Sequence, residues 1–318
     1  MSGEQPIQCT IDTCPVSESI YGYAPGLGEN VFFTILFAVL AVAHAVQGSL
    51  HKTWSFLIAM CLGSASEAIG HGGRIILHSD AFNDSGFYIQ IILLTIAPAF
   101  LAAGIYLCLK HLVITFGEDL SRIRPKFYTW IFISCDFVSL ALQGAGGGVA
   151  ATADDGDKAM LDAGNNLMLA GLSFQVFTLA VFALMAGDYF NRVLQDVKKN
   201  GGGRLNPATT TLRNSLNFKL FCASLTLSYV AIMIRCVYRI IEMAGGWGNP
   251  IMQKEGLFIG LDSTMCALAV LVFNFWHPGR SFNYQGFGHR AIGENQPDIM
   301  LEEHKNSSDE STNYRYRD

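Results

Sequence analysis

The chain has 318 residues, of which 51% are hydrophobic and only 15% charged, with a formal net charge of −5. Its mean hydropathy is positive and its apolar residues fall in blocks of about 20, the composition of a polytopic helical membrane protein. The acidic balance argues against nucleic acid as a partner.

Residues 1–29 form a leader that carries Glu4, Asp12, Glu18 and Glu29 but no Lys or Arg, and no apolar core precedes the first span. No cleaved signal peptide is therefore expected. The spacing CTIDTC leaves two readings for Cys9 and Cys14, a disulfide or two free thiols. The other cysteines, Cys61, Cys108, Cys135, Cys222, Cys236 and Cys266, lie inside spans as small buried thiols.

Apolar runs predict helices over 30–49, 55–77, 87–113, 127–150, 163–189, 216–242 and 255–276. The fold class that follows is an all-α membrane protein, a seven-transmembrane helix bundle over 30–277, with an extracellular leader before it. Counting Lys110 and Lys219 at span ends, the loops after spans 1, 3 and 5 and the tail hold sixteen Lys and Arg, while the leader and the other loops hold two. The positive-inside rule then places the N-terminus outside and the C-terminus in the cytoplasm. Asn83, in NDS, is a glycosylation acceptor pattern on the outer side, and Asn306, in NSS, falls inside. The segment 198–214 reads as a flexible basic cytoplasmic loop facing anionic lipid. The tail 278–318, polar and rich in Asn, Ser, Glu and Gly, reads as disordered.

Ionisable groups inside the hydrocarbon are costly and are expected to face the bundle interior and find partners. Here they are Glu67 and Arg74 in span 2, Asp136 in span 4, Arg235, Arg239 and Glu242 in span 6 and Asp262 in span 7, with Glu255 at the outer start of span 7. Glu67 and Arg74, in EAIGHGGR, are seven residues apart, hence on nearly one face but about 10 Å apart along the axis. Each needs a partner on another helix. Arg235 or Arg239 are the first candidates for Glu67, and Glu242 or Glu255 for Arg74. Arg239 and Glu242, three apart, can pair on one face. All except Asp136 fall in the outer half. Asp136 lies near the midplane with Gln143 two turns above it.

Two readings compete for this cluster: interhelical ion pairs that fix the packing, and the wall of a polar cavity opening outward that takes an amphiphile's head group while its tail stays in lipid. Pro98 frees a carbonyl in span 3, and Gly144, Gly146, Gly147 and Gly148 end span 4 through close packing or an unwound lining. ExxGxxG occurs at Glu67–Gly73 and again at Glu242–Gly248, which would suit two parallel three-helix units. A zinc site on His71, His78 and Asp80 lacks a further His at comparable depth, and no P-loop occurs. No cofactor, metal or catalytic residue is assigned, and an enzyme is not expected.

The chain resembles the fungal lipid-translocating exporter family over about 21–277. The resemblance is carried by YGYAPGLGEN (21–30), EAIGHGGR (67–74), IQIILLTIAPAFLAAGIY (89–106), CDFVSLALQGAGGG (135–148), GLSFQ (171–175), RCVYRIIEMAGGWG (235–248), EGLFIGLD (255–262) and HPG (277–279). It implies a seven-span plasma-membrane protein that moves sphingoid bases or related cationic amphiphiles and confers resistance to toxic lipids and drugs. By position, the family's polar landmarks fall on Glu67, Arg74, Gln90, Asp136, Gln143, Arg235, Arg239, Glu242, Glu255 and Asp262. His71 departs from the family's usual tyrosine, and FIG at 258–260 replaces an aromatic stretch ending in tyrosine. Partners are then membrane lipids and an amphiphilic substrate. A lipid-sensing receptor or regulator of other transporters has the same layout and is the alternative.

Overall fold

The computed structural model describes residues 10–282 apart from 12 and 153–156. The described residues are helical and turn-linked, without strands. Seven long helices dominate: α1 (Leu27–Leu50), α2 (Trp54–Ser79), α3 (Asp84–Phe116), α4 (Pro125–Ala151), α5 (Lys158–Asn200), α6 (Leu216–Ala244) and α7. The last runs Glu255–Phe258, a π turn Ile259–Ser263 and Thr264–Phe275 without leaving helical backbone. Neighbours in sequence pack as neighbours in space, and α1 closes against α7. Helix α3 sits deepest, touching α2, α4, α6 and α7.

Each helix buries one stripe. In α1, Asn30, Phe33, Phe37, Leu40, His44 and Gly48 recur every three or four residues and face inward. Phe32, Ile35, Val39, Val42 and Val46 on the other side are more than half exposed. Trp130, Phe137, Phe177, Leu184 and Phe275 continue this apolar outer surface around the bundle. A surface of that kind is stable in lipid, not in water, and the chain is an integral membrane protein. Among the described residues, six helices are long and apolar enough to cross a membrane. Helix α2, 26 residues long, is not among them, because Glu67, His71, Arg74 and the glycines at 63, 70, 72 and 73 dilute its hydropathy.

Three sequence expectations are revised. The segment 198–214 is an ordered turn: Pro207–Thr209 forms a 3-10 turn and Thr210–Asn214 a short helix. The Asn206 N–H donates to the Phe116 carbonyl (3.0 Å) and the Thr209 hydroxyl to the Thr115 carbonyl (2.6 Å), so the end of α3 is capped by this loop. Helix α5 runs eleven residues past its expected end at 189, because Tyr189, Val193 and Asp196 keep a buried stripe going beyond the apolar run. The two ExxGxxG copies are not equivalent: Gly70 and Gly73 lie within α2, whereas Gly245 caps α6 and Gly248 takes a left-handed φ of +71° in the following turn.

Tail residues from 283 onward, including Asn306, lie outside the described residues, as does Cys9. Cys14 is disulfide-bonded, and the six cysteines within helices are free. The Asn83 side chain accepts from the Gly86 N–H (2.8 Å) as the N-cap of α3. In α4, Gly146 is helical and tightly packed: a Cβ there would lie 2.6 Å from the Gly164 carbonyl of α5.

Candidate functional site

EAIGHGGR divides its residues between two adjacent stripes of α2. Gly70 and Gly73 lie against α3, where added Cβ atoms would come within 2.6 Å of Leu94 and 2.8 Å of the Gly86 carbonyl. The glycines are therefore what lets α3 seat on α2. Glu67, His71 and Arg74, at i, i+4 and i+7, turn into the bundle interior and are all buried.

Arg74 is held from four directions. Its Nε donates to Asn30 Oδ1 of α1 (3.1 Å), its Nη1 to Gln90 Oε1 of α3 (3.2 Å), and its Nη2 to the Tyr23 hydroxyl of the leader and to Glu255 Oε1 of α7 (both 3.1 Å). The guanidinium also lies 4.1 Å from the centre of the Phe258 ring. The leader is built into this network. Gln90 donates to the Tyr21 hydroxyl, Gly26 N–H donates to Glu255 (2.9 Å), Asn30 donates to the Gly26 carbonyl (2.7 Å), and His78 meets the Pro25 carbonyl at 2.7 Å. Burial pushes the Tyr21 and Tyr23 hydroxyls above the ordinary phenol range, against the pull of the Arg74 cation, so both stay protonated.

Arg235 contacts Asp262 of α7 at 3.1 Å. Its Nη2 donates to the Leu94 carbonyl, the acceptor that Pro98, four residues on and without an N–H, leaves without a helical partner. The π turn Ile259–Ser263 contains Asp262 where it meets Arg235. Arg239 pairs with Glu242 one turn away, and the Tyr238 hydroxyl reaches the other Glu242 oxygen at 3.2 Å. The three buried arginines are thus matched with Glu255, Asp262 and Glu242.

Two intramembrane carboxylates remain. Among the described residues, no oxygen of Glu67 or Asp136 has a hydrogen-bond partner of ordinary geometry, although both side chains are buried. The expectation that Arg235 or Arg239 would pair with Glu67 is corrected: depth along a helix brings them to one level, but Asp262 and Glu242 hold the guanidinium groups. Glu67 instead faces His71 Nε2 at 4.0 Å, with Cys266 also alongside. The His71 ring stacks on Phe33 and Phe37 and lies beside Phe258 (ring centres 5.2, 6.0 and 6.0 Å apart), so His71 and the FIG stretch at 258–260 meet. Asp136 lies beside the Tyr106 hydroxyl. Above it, Gln143 donates to Ser139 Oγ (2.8 Å) and reaches Gln175 of α5 at 3.4 Å, while Ser139 donates to the Gly171 carbonyl (2.7 Å).

The outward-opening polar cavity expected here is closed. Tyr21, Tyr23, Arg74, Gln90, Arg239, Glu242 and Phe258 leave about 10 Å³ between them, space for roughly one water. Beside this closed wall, Gly28, Glu29, Phe32, Phe33 and Ile259 border an open groove of about 460 Å³ between the N-terminal parts of α1 and α7. His78 and Asp80 are used locally, at the Pro25 carbonyl and the Phe82 N–H, away from His71.

Sequence reasoning assigned no role to Asn30, Tyr21, Tyr23, Ser139 or Gln175. The signal for the first three was present in YGYAPGLGEN, where two tyrosines and an asparagine directly precede an apolar span.

The family model described as "RTA1 like protein" matches residues 60–285. The chain is 30% identical to the "Sphingoid long-chain base transporter RSB1" of Saccharomyces cerevisiae, over 84% of this chain and 75% of that one. It is 26% identical to "Protein RTM1" of S. cerevisiae, over 80% of this chain and 90% of that one. "Protein RTA1" of the same yeast is also 26% identical, over 80% of this chain and 83% of its own. No solved structure matches.

Proposed function

The chain belongs to the RTA1-like family, and from that premise we propose that it is a seven-span transporter of cationic amphiphiles, with sphingoid long-chain bases as the leading substrate class. The observation that carries this is the charge accounting. Three buried arginines are each matched to an acid, and two carboxylates, Glu67 and Asp136, are left over in the membrane interior. A surplus of buried acid suits a ligand that brings its own positive charge. Phe33 borders the groove and stacks on His71, so in this reading an alkyl chain lying in the groove brings its ammonium past that ring to Glu67. Asp136, Ser139, Gln143 and Gln175 would line the onward path.

Helix α2 is the seventh span in this reading. It is long enough, and α1 and α3 cover the stripe that carries its charges. The leader lies outside, the tail inside, and the plasma membrane is the site of action. Release of the amphiphile from the cell would confer resistance to toxic lipids, without catalysis.

The closed packing around Arg74 favours a second reading, a sensor that binds a head group without passing it on. Purified wild-type protein in liposomes loaded with labelled sphingoid base decides between them. Transport predicts release that Glu67→Gln abolishes, with parallel loss of resistance in a strain lacking its own copy. Binding without any wild-type flux establishes the sensor instead.

A further inference from the structure

We propose that Glu67 is a proton–ammonium exchange site: the empty site holds a carboxylic acid, and a primary ammonium entering from the α1–α7 groove displaces its proton. The inference rests on the reading of Glu67 as the head-group carboxylate.

Geometry gives the resting form. Asn30 Oδ1 already accepts from Arg74 Nε (3.1 Å), and Asn30 Nδ2 donates to the Gly26 carbonyl, so the oxygen toward His71 is fixed. The Nδ1 of His71, 3.0 Å from that oxygen, must therefore be the donor. Arg74 donates to the same Asn30 oxygen, and a second cation beside that guanidinium in a buried site is disfavoured, so the ring is neutral. It presents its Nε2 lone pair to Glu67 at 4.0 Å, which is matched by an acid O–H, not by an anion. The other groups facing Glu67 are Arg235 and Arg239 from α6 and Asp262 and Cys266 from α7. Both arginines are held by their own acids. From α1 and α3 the cluster receives Asn30 and the Leu94 carbonyl, neither of which titrates. An anion at Glu67 would stand buried with only the weak thiol donor of Cys266 beside it, at a cost of several kcal/mol.

The exchange is balanced in atoms and charge. The Glu67 O–H bond breaks, its proton passes to water, and the carboxylate oxygens accept N–H donors from the ammonium. One positive charge replaces another, so the buried site never carries net charge. Coupled to translocation, this makes the protein a one-for-one proton–amine antiporter driven by a proton gradient.

The test uses the purified full chain in detergent with decylamine as probe, in weak buffer with a pH-reporting dye. Wild type should release about one proton per amine bound, and its affinity should fall about tenfold per pH unit on the acid side. The amine-induced infrared difference spectrum should lose one carboxylic-acid C=O band. Glu67→Asp should shift that band, which assigns it whether or not Glu67→Gln still binds. Glu67→Gln should lack both band and proton release while keeping its thermal midpoint. Asp188→Asn, at a surface ion pair, should match wild type. Amine binding without proton release, or a band unmoved in Glu67→Asp, overturns the proposal. Liposome flux of decylamine separates the two readings: flux without proton release leaves transport standing and removes exchange, whereas proton release without flux does the reverse.

Discussion

Arg74 and Glu67 stand two turns apart on one helix, equally buried, and differ in everything around them. The guanidinium donates to four side chains drawn from the leader, α1, α3 and α7 and lies over an aromatic ring. The carboxyl has the edge of an imidazole, the weak thiol donor of Cys266 and no donor at ordinary hydrogen-bond geometry. A fully matched buried charge fixes packing, and its loss shows up as lost stability. A buried acid without a match contributes little to stability and is available for exchange chemistry. Substitutions can therefore separate the positions that hold the bundle together from those that act.

The largest expected loss is at Arg235. Arg235→Met leaves Asp262 buried without its cation and the Leu94 carbonyl without a donor, and should cost about 3–5 kcal/mol in detergent unfolding. Adding Pro98→Ala restores an N–H four residues beyond Leu94 and should recover about 1 kcal/mol. Recovery of nothing would mean that the guanidinium does not stand in for the missing peptide donor.

Next come the glycines. Gly73→Val forces α2 from the α3 backbone and should cost about 1–3 kcal/mol. Gly72→Ala, with no atom within 4 Å of the new Cβ, should stabilise by about 0.5–1 kcal/mol. A smaller effect, about 1 kcal/mol, is expected for Glu255→Ala, because Glu255 is partly solvated. That change should also loosen the leader, read as faster proteolysis around Gly26, whose N–H loses its acceptor. Glu67→Gln should leave the thermal midpoint where it is while removing flux. A large drop in stability there would make Glu67 a packing residue like its neighbour.

The helices were legible because lipid demands long apolar runs, and their ends agree closely except where an amphipathic stripe continues, as at Tyr189 and Val193. The Arg239–Glu242 pair was legible from i, i+3 spacing, and Glu255 was one of the two acids expected for Arg74. What the sequence did not convey was rotation. Arg235 and Glu67 were brought to one depth correctly, yet which acid a guanidinium meets depends on the azimuth of three helices and on a π turn at Asp262, and neither leaves a periodic trace. The leader was illegible for a different reason: its contacts come from single tyrosines, backbone groups and Asn30, with no repeat to read.

At 1.5 Å per residue, the 43 residues of α5 make a rod of about 65 Å, roughly twice the hydrocarbon thickness of a bilayer. Its far end is not loose, since Asp196 accepts from the Arg204 N–H (3.1 Å) and the same loop caps α3. A change of tilt among the bundle helices would therefore reappear as a displacement of a rigid tip well beyond the bilayer.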